Sequence, residues 1–367
     1  MRSLICVLAL GLALGLAACG GGDSGPAEPE VVSTTPENTG DGWAISTPAS
    51  EGLDAAAVSN ALAEIRDGKY PGVDSMVVIR HGKLVAEGYF NGFGRDSLHD
   101  LRSTGKSFTS ALAGIAIERG AFTADDTIAQ LLPQFDAHSN MDDRKRAITI
   151  THLLNMSSGL ECNDWDPRSP GNEEVMYGKN DWVDFILDLP MTGEPGVIAS
   201  YCTGGVVVLG HVIGLRTGTK LDDFAASYLW APLGIREVRW RRSPDGAATG
   251  GGGLWLRPRD AAKFGQLYLD GGMWNGAQIV PAAWVERSRL NAIGLGRDGY
   301  GLLWWKRSLE SSAGSRDAFF TSGNGGNYIF VFPALDLVVV FTGSNYNSAR
   351  GDQPFDILSW RLLPAVH

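Results

Sequence analysis

Short runs of apolar residues, typical of β-strands, lie near both ends of the chain. Residues 75–80 and 83–90 flank the pair His81-Gly82, an arrangement that predicts a β-hairpin. Strand-like runs return in the last quarter of the chain, at residues 300–305, 317–321, 328–332 and 337–342. We therefore expect both ends of the chain to contribute strands to one antiparallel sheet.

Helical spacing of apolar residues dominates the middle of the chain. The longest example begins near Ser103, ends at Gly120 and is apolar on most of its faces, which predicts a buried helix. Shorter helical segments follow, joined by loops rich in glycine and proline, at residues 127–132, 151–156, 181–189, 204–216 and 221–229. Outside this region, helices are predicted at residues 54–66, at 259–269 and from 355 onward.

This order of elements predicts an α+β fold, in which an antiparallel sheet is flanked by helices and carries an inserted all-helical lobe. The sheet lobe would comprise residues 43–98 and 250–362, and the helical lobe residues 99–249. The helix that begins near Ser103 would then lie at the junction of the two lobes, where ligand sites preferentially form.

The composition suits a folded protein with a sizeable core. Of the 367 residues, 44% are hydrophobic and 20% are charged, which is too apolar for a disordered chain. The formal net charge of −10 argues against nucleic acid and against anionic lipid as partners. Attachment to a membrane would therefore depend on a covalent lipid.

The N-terminus is typical of an export signal. A basic residue, Arg2, precedes an uncharged stretch at residues 4–18, which is too short to span a bilayer core of about 30 Å. Residues 16–19 read Leu-Ala-Ala-Cys and resemble the lipobox of bacterial lipoproteins. We therefore predict a signal peptide over residues 1–18 and lipidation of Cys19. The alternative is a plain secretory signal followed by an accidental cysteine.

The segment after Cys19 predicts where the protein lies and where its fold begins. In bacterial lipoproteins, a residue other than aspartate after the cysteine, here Gly20, usually implies the outer membrane, so the protein would face the periplasm. Residues 19–42 are rich in glycine, proline and polar residues, which predicts a flexible tether. Folded structure is expected from Trp43 onward.

The remaining cysteines form an even pair. Cys6 would leave with the signal peptide, so Cys162 and Cys202 would remain in an oxidising compartment. We expect a disulfide between them, with two buried free thiols as the alternative. A disulfide would hold the loop at residues 161–166 beside Tyr201.

The first candidate for chemistry is a Ser-x-x-Lys motif, Ser103-Thr-Gly-Lys106, at the start of the buried helix. Three residues are just under one helical turn, so the amine and the hydroxyl share a face and a base would lie beside a potential nucleophile. Two other interpretations exist. Serine often caps a helix N-terminus. Residues 105–107, Gly-Lys-Ser, also resemble the end of a phosphate-binding loop, although Asp100 stands where that motif has a glycine.

Other catalytic signatures are weak. The chain has no Gly-x-Ser-x-Gly motif, and its six histidines lack ligand spacing and an obvious catalytic partner. His152, near a predicted helix start, suits packing or capping. The sequence thus predicts neither a metal site nor an organic cofactor.

Two later segments complete a resemblance to a known family. Tyr201-Cys-Thr203 precedes an apolar helix, and residues 321–327, Thr-Ser-Gly-Asn-Gly-Gly-Asn, lead into a predicted strand. With the Ser-x-x-Lys motif, these segments resemble the serine β-lactamase and DD-peptidase superfamily over about residues 50–350. The similarity lies with its class C branch, which includes family VIII carboxylesterases and nylon-oligomer hydrolases. The resemblance implies a β-lactamase/DD-peptidase-like fold.

The resemblance also implies a mechanism, in which Ser103 attacks a carbonyl carbon and forms an acyl-enzyme without a cofactor. The general base would be Lys106 or Tyr201, and the two remain alternatives at this point. Backbone N–H groups of Ser103 and Asn327 would form the oxyanion hole. The resemblance further implies substrate contacts by Thr203, Asn324, Gly325 and Gly326.

Two departures from the family pattern bear on the substrate. Thr203 replaces an asparagine, and residues 324–326, Asn-Gly-Gly, lack the lysine or histidine of the family's third motif. Loss of that cation favours a carboxylesterase or amidase, acting on a small ester, amide or peptide-like substrate, over an efficient β-lactamase or DD-peptidase. A penicillin- or acyl-binding protein without efficient turnover is the alternative. An apolar cleft could be lined by Trp165, Trp182, Trp304 and Trp305.

Overall fold

The computed structural model describes residues 30–133, 135–290 and 293–367. Its strands are β1 (Val31–Ser33), β2 (Ala44–Ile45), β3 (Val73–Arg80), β4 (Lys83–Tyr89), β5 (His99–Asp100), β6 (Arg239–Trp240), β7 (Leu254–Leu256), β8 (Met273–Trp274), β9 (Ala277–Gln278), β10 (Ile293–Leu295), β11 (Asp298–Gly301), β12 (Trp304–Leu309), β13 (Arg316–Gly323), β14 (Asn327–Phe332) and β15 (Leu337–Gly343).

Strands from both ends of the chain form one large sheet, as predicted. The order is β1-β4-β3-β15-β14-β13-β12-β11-β10, with β2 paired in parallel with β4. The two ends meet where β15 pairs antiparallel with β3, for example at Val339 opposite Val78. Both strands are buried along their whole length, because the sheet is covered on its two faces.

The helices cover those faces and fill the region between the strands. They are α1 (Ala55–Arg66), α2 (Gly105–Glu118), α3 (Ile128–Leu131), α4 (Asp143–Arg146), α5 (Ile150–Leu154), α6 (Glu173–Tyr177), α7 (Trp182–Leu187), α8 (Thr203–Thr217), α9 (Leu221–Ala225), α10 (Pro258–Leu269), α11 (Ala282–Leu290) and α12 (Gln353–Ile357). The predicted α+β fold is confirmed, with the helices α2 to α9 between β5 and β6.

Helix α2 is enclosed by its neighbours. Its Phe108 ring stacks on Phe264 of α10, with ring centroids 3.7 Å apart. α10 in turn lies directly on the sheet, because Gly265 allows its backbone to approach the side chain of Val338. This stacking fixes the first turn of α2, and with it Ser103, relative to the sheet.

The ordered chain begins earlier than Trp43. Strand β1 pairs antiparallel with β4, and the backbone carbonyl of Glu37 and the side chain of Asp41 both accept hydrogen bonds from Arg259. The prediction of a flexible tether is therefore wrong for residues 31–42. It failed because three residues, Val-Val-Ser, are too few to give a strand pattern, and the partners that hold them are distant in sequence.

The folded domain also extends beyond residue 362, its predicted C-terminal limit, because Val366 forms a β-bridge with Leu53. The predicted signal peptide and Cys19 lie outside the described residues. Within residues 30–133, 135–290 and 293–367, no helix is long and apolar enough to cross a bilayer.

Candidate active site

Ser103 lies in a short 3-10 turn, Arg102–Thr104, that leads directly into α2. Leu101, the residue before this turn, donates its N–H to the carbonyl of Leu254 at 2.9 Å and so connects the turn to β7. Arg102 has a φ of 52°, a sterically costly value for a residue with a side chain, so the backbone turns sharply just before Ser103. The turn leaves Ser103 partly exposed at one wall of a cleft.

Lys106 lies one turn further along α2 and is 1% exposed. Its Nζ is 2.9 Å from Ser103 Oγ and 2.5 Å from the carbonyl oxygen of Gly251, to which it donates. These contacts aim the amine at the serine hydroxyl. The predicted pairing of hydroxyl and amine on one face is therefore present.

The two other interpretations of this stretch do not match its contacts. Ser103 does not cap α2, because the residue at the N-cap is Thr104 and its side chain makes no capping hydrogen bond. A phosphate loop would direct its lysine to an open anion site, whereas Lys106 is buried against Gly251. The carboxylate of Asp100 instead accepts a hydrogen bond from the N–H of Arg102.

Tyr201 completes the group around the hydroxyl. Lys106 Nζ lies 5.1 Å from the centroid of its ring, and Tyr201 and Ser103 line the same cleft. Burial raises the pKa of the Tyr201 phenol, an effect that the Lys106 charge and the nearby Ser103 side chain partly offset. The phenol therefore keeps its proton near neutral pH.

Ser103 and Tyr201 border a cleft of about 550 Å³, and Lys106 is buried beneath it. One wall consists of nearly parallel aromatic rings: Trp165 stacks on Tyr201 at 5.5 Å, and Trp305 lies 5.9 Å from Tyr201. Trp165 is 55% exposed, so much of its indole is free to contact a ligand. Two of the four tryptophans expected in the cleft are thus present there.

The other two tryptophans lie in the core. Trp304 is fully buried, and its ring centroid lies 4.4 Å from that of Tyr268. Trp182 packs against Tyr177, with ring centroids 5.2 Å apart. The expectation that they line the cleft is wrong. Trp304 precedes Trp305 on β12, and neighbouring strand residues face opposite sides of the sheet.

The third motif forms the turn between β13 and β14. The pairing of β12 with β13 ends at Trp305 opposite Phe320, whereas β13 continues to Gly323. The last residues of β13 therefore lie beyond the end of β12, on the side of Ser103. Ser322 and Asn324 line the cleft.

Asn327 does not lie in the cleft. It is fully buried, and its side-chain amide donates to the carbonyls of Asn324 and Gly343. The prediction that its N–H completes an oxyanion hole is therefore wrong. Gly325 and Gly326 are also buried, in the turn, with φ values of 101° and 98°, and they do not line the cleft as expected.

The turn between β13 and β14 lies close to Ser103, so a residue of this turn other than Asn327 can supply the second N–H group of an oxyanion hole. A Cβ on Gly323 would collide with the backbone oxygen of Leu101, so the end of β13 lies against the segment that carries Ser103. The hydroxyl of Thr104 donates to the carbonyl of Asn327 at 2.9 Å, which joins the same two segments. Asn324 is exposed at this junction, and its backbone N–H is the candidate second donor.

Thr203 is also outside the cleft, contrary to expectation. It is 1% exposed, its hydroxyl donates to Glu173 at 3.0 Å, and its N–H donates to Asp164 at 2.6 Å. Thr203 thus supports Glu173 through its hydroxyl and Asp164 through its backbone N–H, instead of reaching a ligand. Asp164 and Glu173 themselves line the cleft beside Ser103.

Sequence reasoning missed these two carboxylates as site residues. Asp164 accepts hydrogen bonds from the N–H groups that begin α6 and α8, at Glu173 and Thr203. Burial raises the pKa of the Asp164 carboxyl, and the Lys106 charge opposes that shift. The available signal was the expected disulfide, which places the loop at 161–166 beside Tyr201.

The histidine expected to pack or cap does so. His152 forms a reciprocal cap with Thr149 at the start of α5. Among the described residues, no group of three or more His, Cys, Asp or Glu side chains is arranged to hold a metal ion.

A comparison with family models gives a match to the family described as Beta-lactamase, over residues 55–358. This chain belongs to the β-lactamase family. The match spans both parts of the sheet, the helices between them and every residue that lines the cleft.

Individual relatives of this β-lactamase-family chain are distant. A 6-aminohexanoate-dimer hydrolase from Paenarthrobacter ureafaciens is 26% identical in an alignment of 226 positions that covers 58% of this chain and 56% of the relative. The chain thus spans a little over half the length of that curated relative.

Two solved structures share the fold. A class C β-lactamase from Rhodobacter sphaeroides aligns with a TM-score of 0.64 and 18% identity, covering 83% of this chain and 99% of the other. A family VIII carboxylesterase aligns with a TM-score of 0.63 and 19% identity, covering 82% and 96%. At such identities the likeness concerns the fold alone.

A disulfide joins Cys162 to Cys202 in this family member, as expected from the even cysteine count. The bridge links the loop that carries Asp164 and Trp165 to the residue that follows Tyr201. The two cysteines are 40 positions apart, and closing such a loop disfavours the unfolded chain by about 4 kcal/mol. The disulfide thus connects two walls of the cleft covalently.

Proposed function

We propose that this protein is an exported serine hydrolase that cleaves esters or amides through an acyl-enzyme at Ser103. The observation that carries the proposal is the position of Lys106 Nζ, 2.9 Å from Ser103 Oγ, beside a cleft that Ser103 and Tyr201 both line. A hydroxyl with a base in hydrogen-bond reach is the arrangement that nucleophilic catalysis requires.

The mechanism follows from these positions. Acylation requires Lys106 in its neutral form, in which Nζ takes the proton of Ser103 Oγ while Oγ bonds to the substrate carbonyl carbon. The resulting oxyanion is held by the backbone N–H groups of Ser103 and Asn324. The bond to the leaving group then breaks as that group receives the proton through the Tyr201 hydroxyl. Water attacks the acyl-enzyme by the same steps, releasing a carboxylic acid and restoring Ser103.

The raised pKa of Tyr201 supports Lys106 as the base. A phenol that holds its proton near neutral pH can donate and relay a proton, but it is a poor acceptor. Lys106 is the remaining group in contact with Ser103 Oγ among the described side chains.

The charge of the cleft supports a substrate that is neutral or cationic near Ser103. Two acidic residues of the cleft form ion pairs with arginines, Asp298 with Arg307 at 2.6 Å and Asp352 with Arg297 at 3.0 Å. Glu173, in contrast, accepts hydrogen bonds from the uncharged hydroxyls of Thr203 and Tyr177. An anionic group bound beside it would meet uncompensated negative charge.

We therefore expect the protein to discriminate between substrates by charge. The test uses three p-nitrophenyl esters of equal acyl length that end in a methyl, a trimethylammonium or a sulfonate group. The sulfonate ester should have the lowest kcat/KM, by about tenfold or more, because about 1.4 kcal/mol of repulsion produces that factor. Nitrocefin and D-Ala-D-Ala peptides, which carry carboxylates, should be poor substrates in the same panel.

The variant Glu173→Gln should reduce the difference in kcat/KM between the ammonium and sulfonate esters, because it removes the negative charge and keeps the shape of the side chain. Glu194→Gln, an exposed glutamate outside the cleft, is the matched control and should leave this difference unchanged. A sulfonate ester cleaved as fast as the ammonium ester would contradict the assignment. Efficient nitrocefin turnover would instead identify a β-lactamase.

We further propose that the protein is anchored by a lipid at Cys19 in the outer membrane and faces the periplasm. The support is the sequence Leu-Ala-Ala-Cys at 16–19 and the glycine at position 20. The variant Cys19→Ala should lose both envelope fractionation and incorporation of labelled palmitate. Cys6→Ala, within the predicted signal peptide, should keep both. Envelope-bound Cys19→Ala protein would rule out the lipid anchor.

A further inference from the structure

A second pocket lies on the other side of β12 from the cleft. Trp305 faces the cleft, whereas its neighbour Lys306 faces a separate pocket of about 390 Å³ beside the end of α11. Arg307 borders both, but its guanidinium is engaged on the cleft side by Asp298. Lys306 and Phe319 are cross-strand neighbours in the floor of the second pocket.

Lys306 is half-buried, and its amine differs from those of the fully buried lysines of this protein. Lys106, Lys145 and Lys263 each place Nζ on a carbonyl or carboxylate oxygen. Lys306 Nζ is shielded from solvent but has no hydrogen-bond partner among the described residues. A buried ammonium without a partner is costly, since it has lost water and gained nothing in exchange.

Burial lowers the pKa of Lys306 to about 8, and no charged neighbour in the described parts of the chain offsets that shift. Near neutral pH the amine is therefore still mostly protonated. The pocket is thus bordered by a cation whose Nζ forms no hydrogen bond with the described residues.

A second cation faces the same ring. The guanidinium of Arg289 lies 5.9 Å from the centroid of Phe319. Its ion pair is with Glu286 on the same helix, at 3.4 Å and half exposed, so it remains available to another anion. The pocket also contains one carboxylate, Asp317, which accepts a hydrogen bond from Ser308. The lining therefore has more basic than acidic side chains, on a protein whose net charge is −10.

The rest of the pocket surface is apolar. Leu290 is 70% exposed, and Phe319 and Pro333 complete the lining on either side of Lys306. A volume of about 390 Å³ falls within the range of small-molecule sites. The pocket therefore combines a cationic centre with apolar walls.

We propose that this pocket binds a small organic carboxylate. The carboxylate would pair with the Arg289 guanidinium and with the Lys306 ammonium, whose side chain would have to turn to bring Nζ to the pocket surface. The hydrocarbon part of the ligand would lie against Phe319, Leu290 and Pro333. Binding supplies the partner that Lys306 lacks. The site is separate from the cleft, so the inference does not depend on the proposed hydrolase activity.

The test is a ¹⁹F NMR titration with 4-fluorobenzoate, with 4-fluorobenzamide as the uncharged probe of the same shape. Wild-type protein should bind the benzoate and show at least tenfold weaker binding of the benzamide. Lys306→Met should weaken benzoate binding about tenfold or more, because a charge-assisted hydrogen bond is lost. Arg289→Gln should weaken it as well.

The matched control is Lys69→Met, a half-exposed lysine paired with Glu64 on the surface, which should bind benzoate like the wild type. Thermal unfolding gives a second readout. Benzoate should raise the Tm of wild type and leave that of Lys306→Met unchanged, and without benzoate Lys306→Met should melt higher than wild type. Equal benzoate binding by wild type and Lys306→Met, or no preference over the benzamide, would overturn the proposal.

Discussion

Replacing Ser103 with alanine is expected to abolish hydrolysis of short-chain p-nitrophenyl esters. The substitution removes the hydroxyl oxygen that Lys106 Nζ contacts, so no acyl-enzyme can form. The loss of kcat/KM should be on the order of ten-thousand-fold or more, since the remaining groups can only bind and polarise the substrate. The fold should persist, because Ser103 lies at the cleft surface.

Ser110→Ala is the matched control, since Ser110 is a serine on the same helix but is buried away from the cleft. It should retain activity. A fluorophosphonate should add one adduct to wild type and none to Ser103→Ala, as read by intact mass. Full activity in Ser103→Ala would refute the mechanism. An adduct with a substrate ester that never decays would identify an acyl-binding protein instead of a hydrolase.

Replacing Lys106 with methionine should lower kcat by about a thousandfold or more. The methionine side chain occupies a similar volume but cannot accept the proton of Ser103 Oγ. The defect should fall on kcat more than on KM, because Lys106 is buried beneath the cleft and contacts the nucleophile. Pre-steady-state release of p-nitrophenol would locate the defect in the acylation step.

Lys145→Met provides the matched control. Lys145 is also fully buried and donates to two backbone carbonyls, those of Ser139 and Leu187, but it lies outside the cleft. The Lys145→Met variant should be less stable than the wild type but should keep the wild-type kcat per folded molecule. Tyr201→Phe separates the two possible bases: a loss as large as that of Lys106→Met would assign the proton acceptor to Tyr201 and contradict the proposal that Lys106 is the base.

Much of the fold is readable from the sequence because it depends on local pattern. Apolar runs of strand length at residues 75–90 and 317–342 identify the sheet, and the continuous apolar character of residues 105–118 identifies its central helix. The pairing of Ser103 with Lys106 is likewise local, since one helical turn brings the two side chains together. Tyr201 required the family resemblance, because no pattern links residues so far apart.

The wrong predictions about the site concern residues that contact segments distant in the sequence. The motif pattern predicts an oxyanion-hole N–H at Asn327, but strand pairing buries that residue beside Gly343 and leaves Asn324 at the cleft. The same pattern predicts a substrate contact at Thr203, but the loop brought by the disulfide places Glu173 over its hydroxyl. A single position along a strand or turn decides which side a residue faces, and sequence spacing does not fix that register.

The sequence by itself determined the class of fold, the candidate nucleophile and its neighbouring amine, because helix and strand periodicities are set by local backbone geometry. The tertiary structure alone decided which carboxylates enter the cleft, which tryptophans line it, and that residues 31–33 join the sheet. It also decided that Lys306 faces a pocket in which the described residues offer its amine no partner. These features arise from contacts between segments far apart in the chain, where burial and pairing depend on the whole fold.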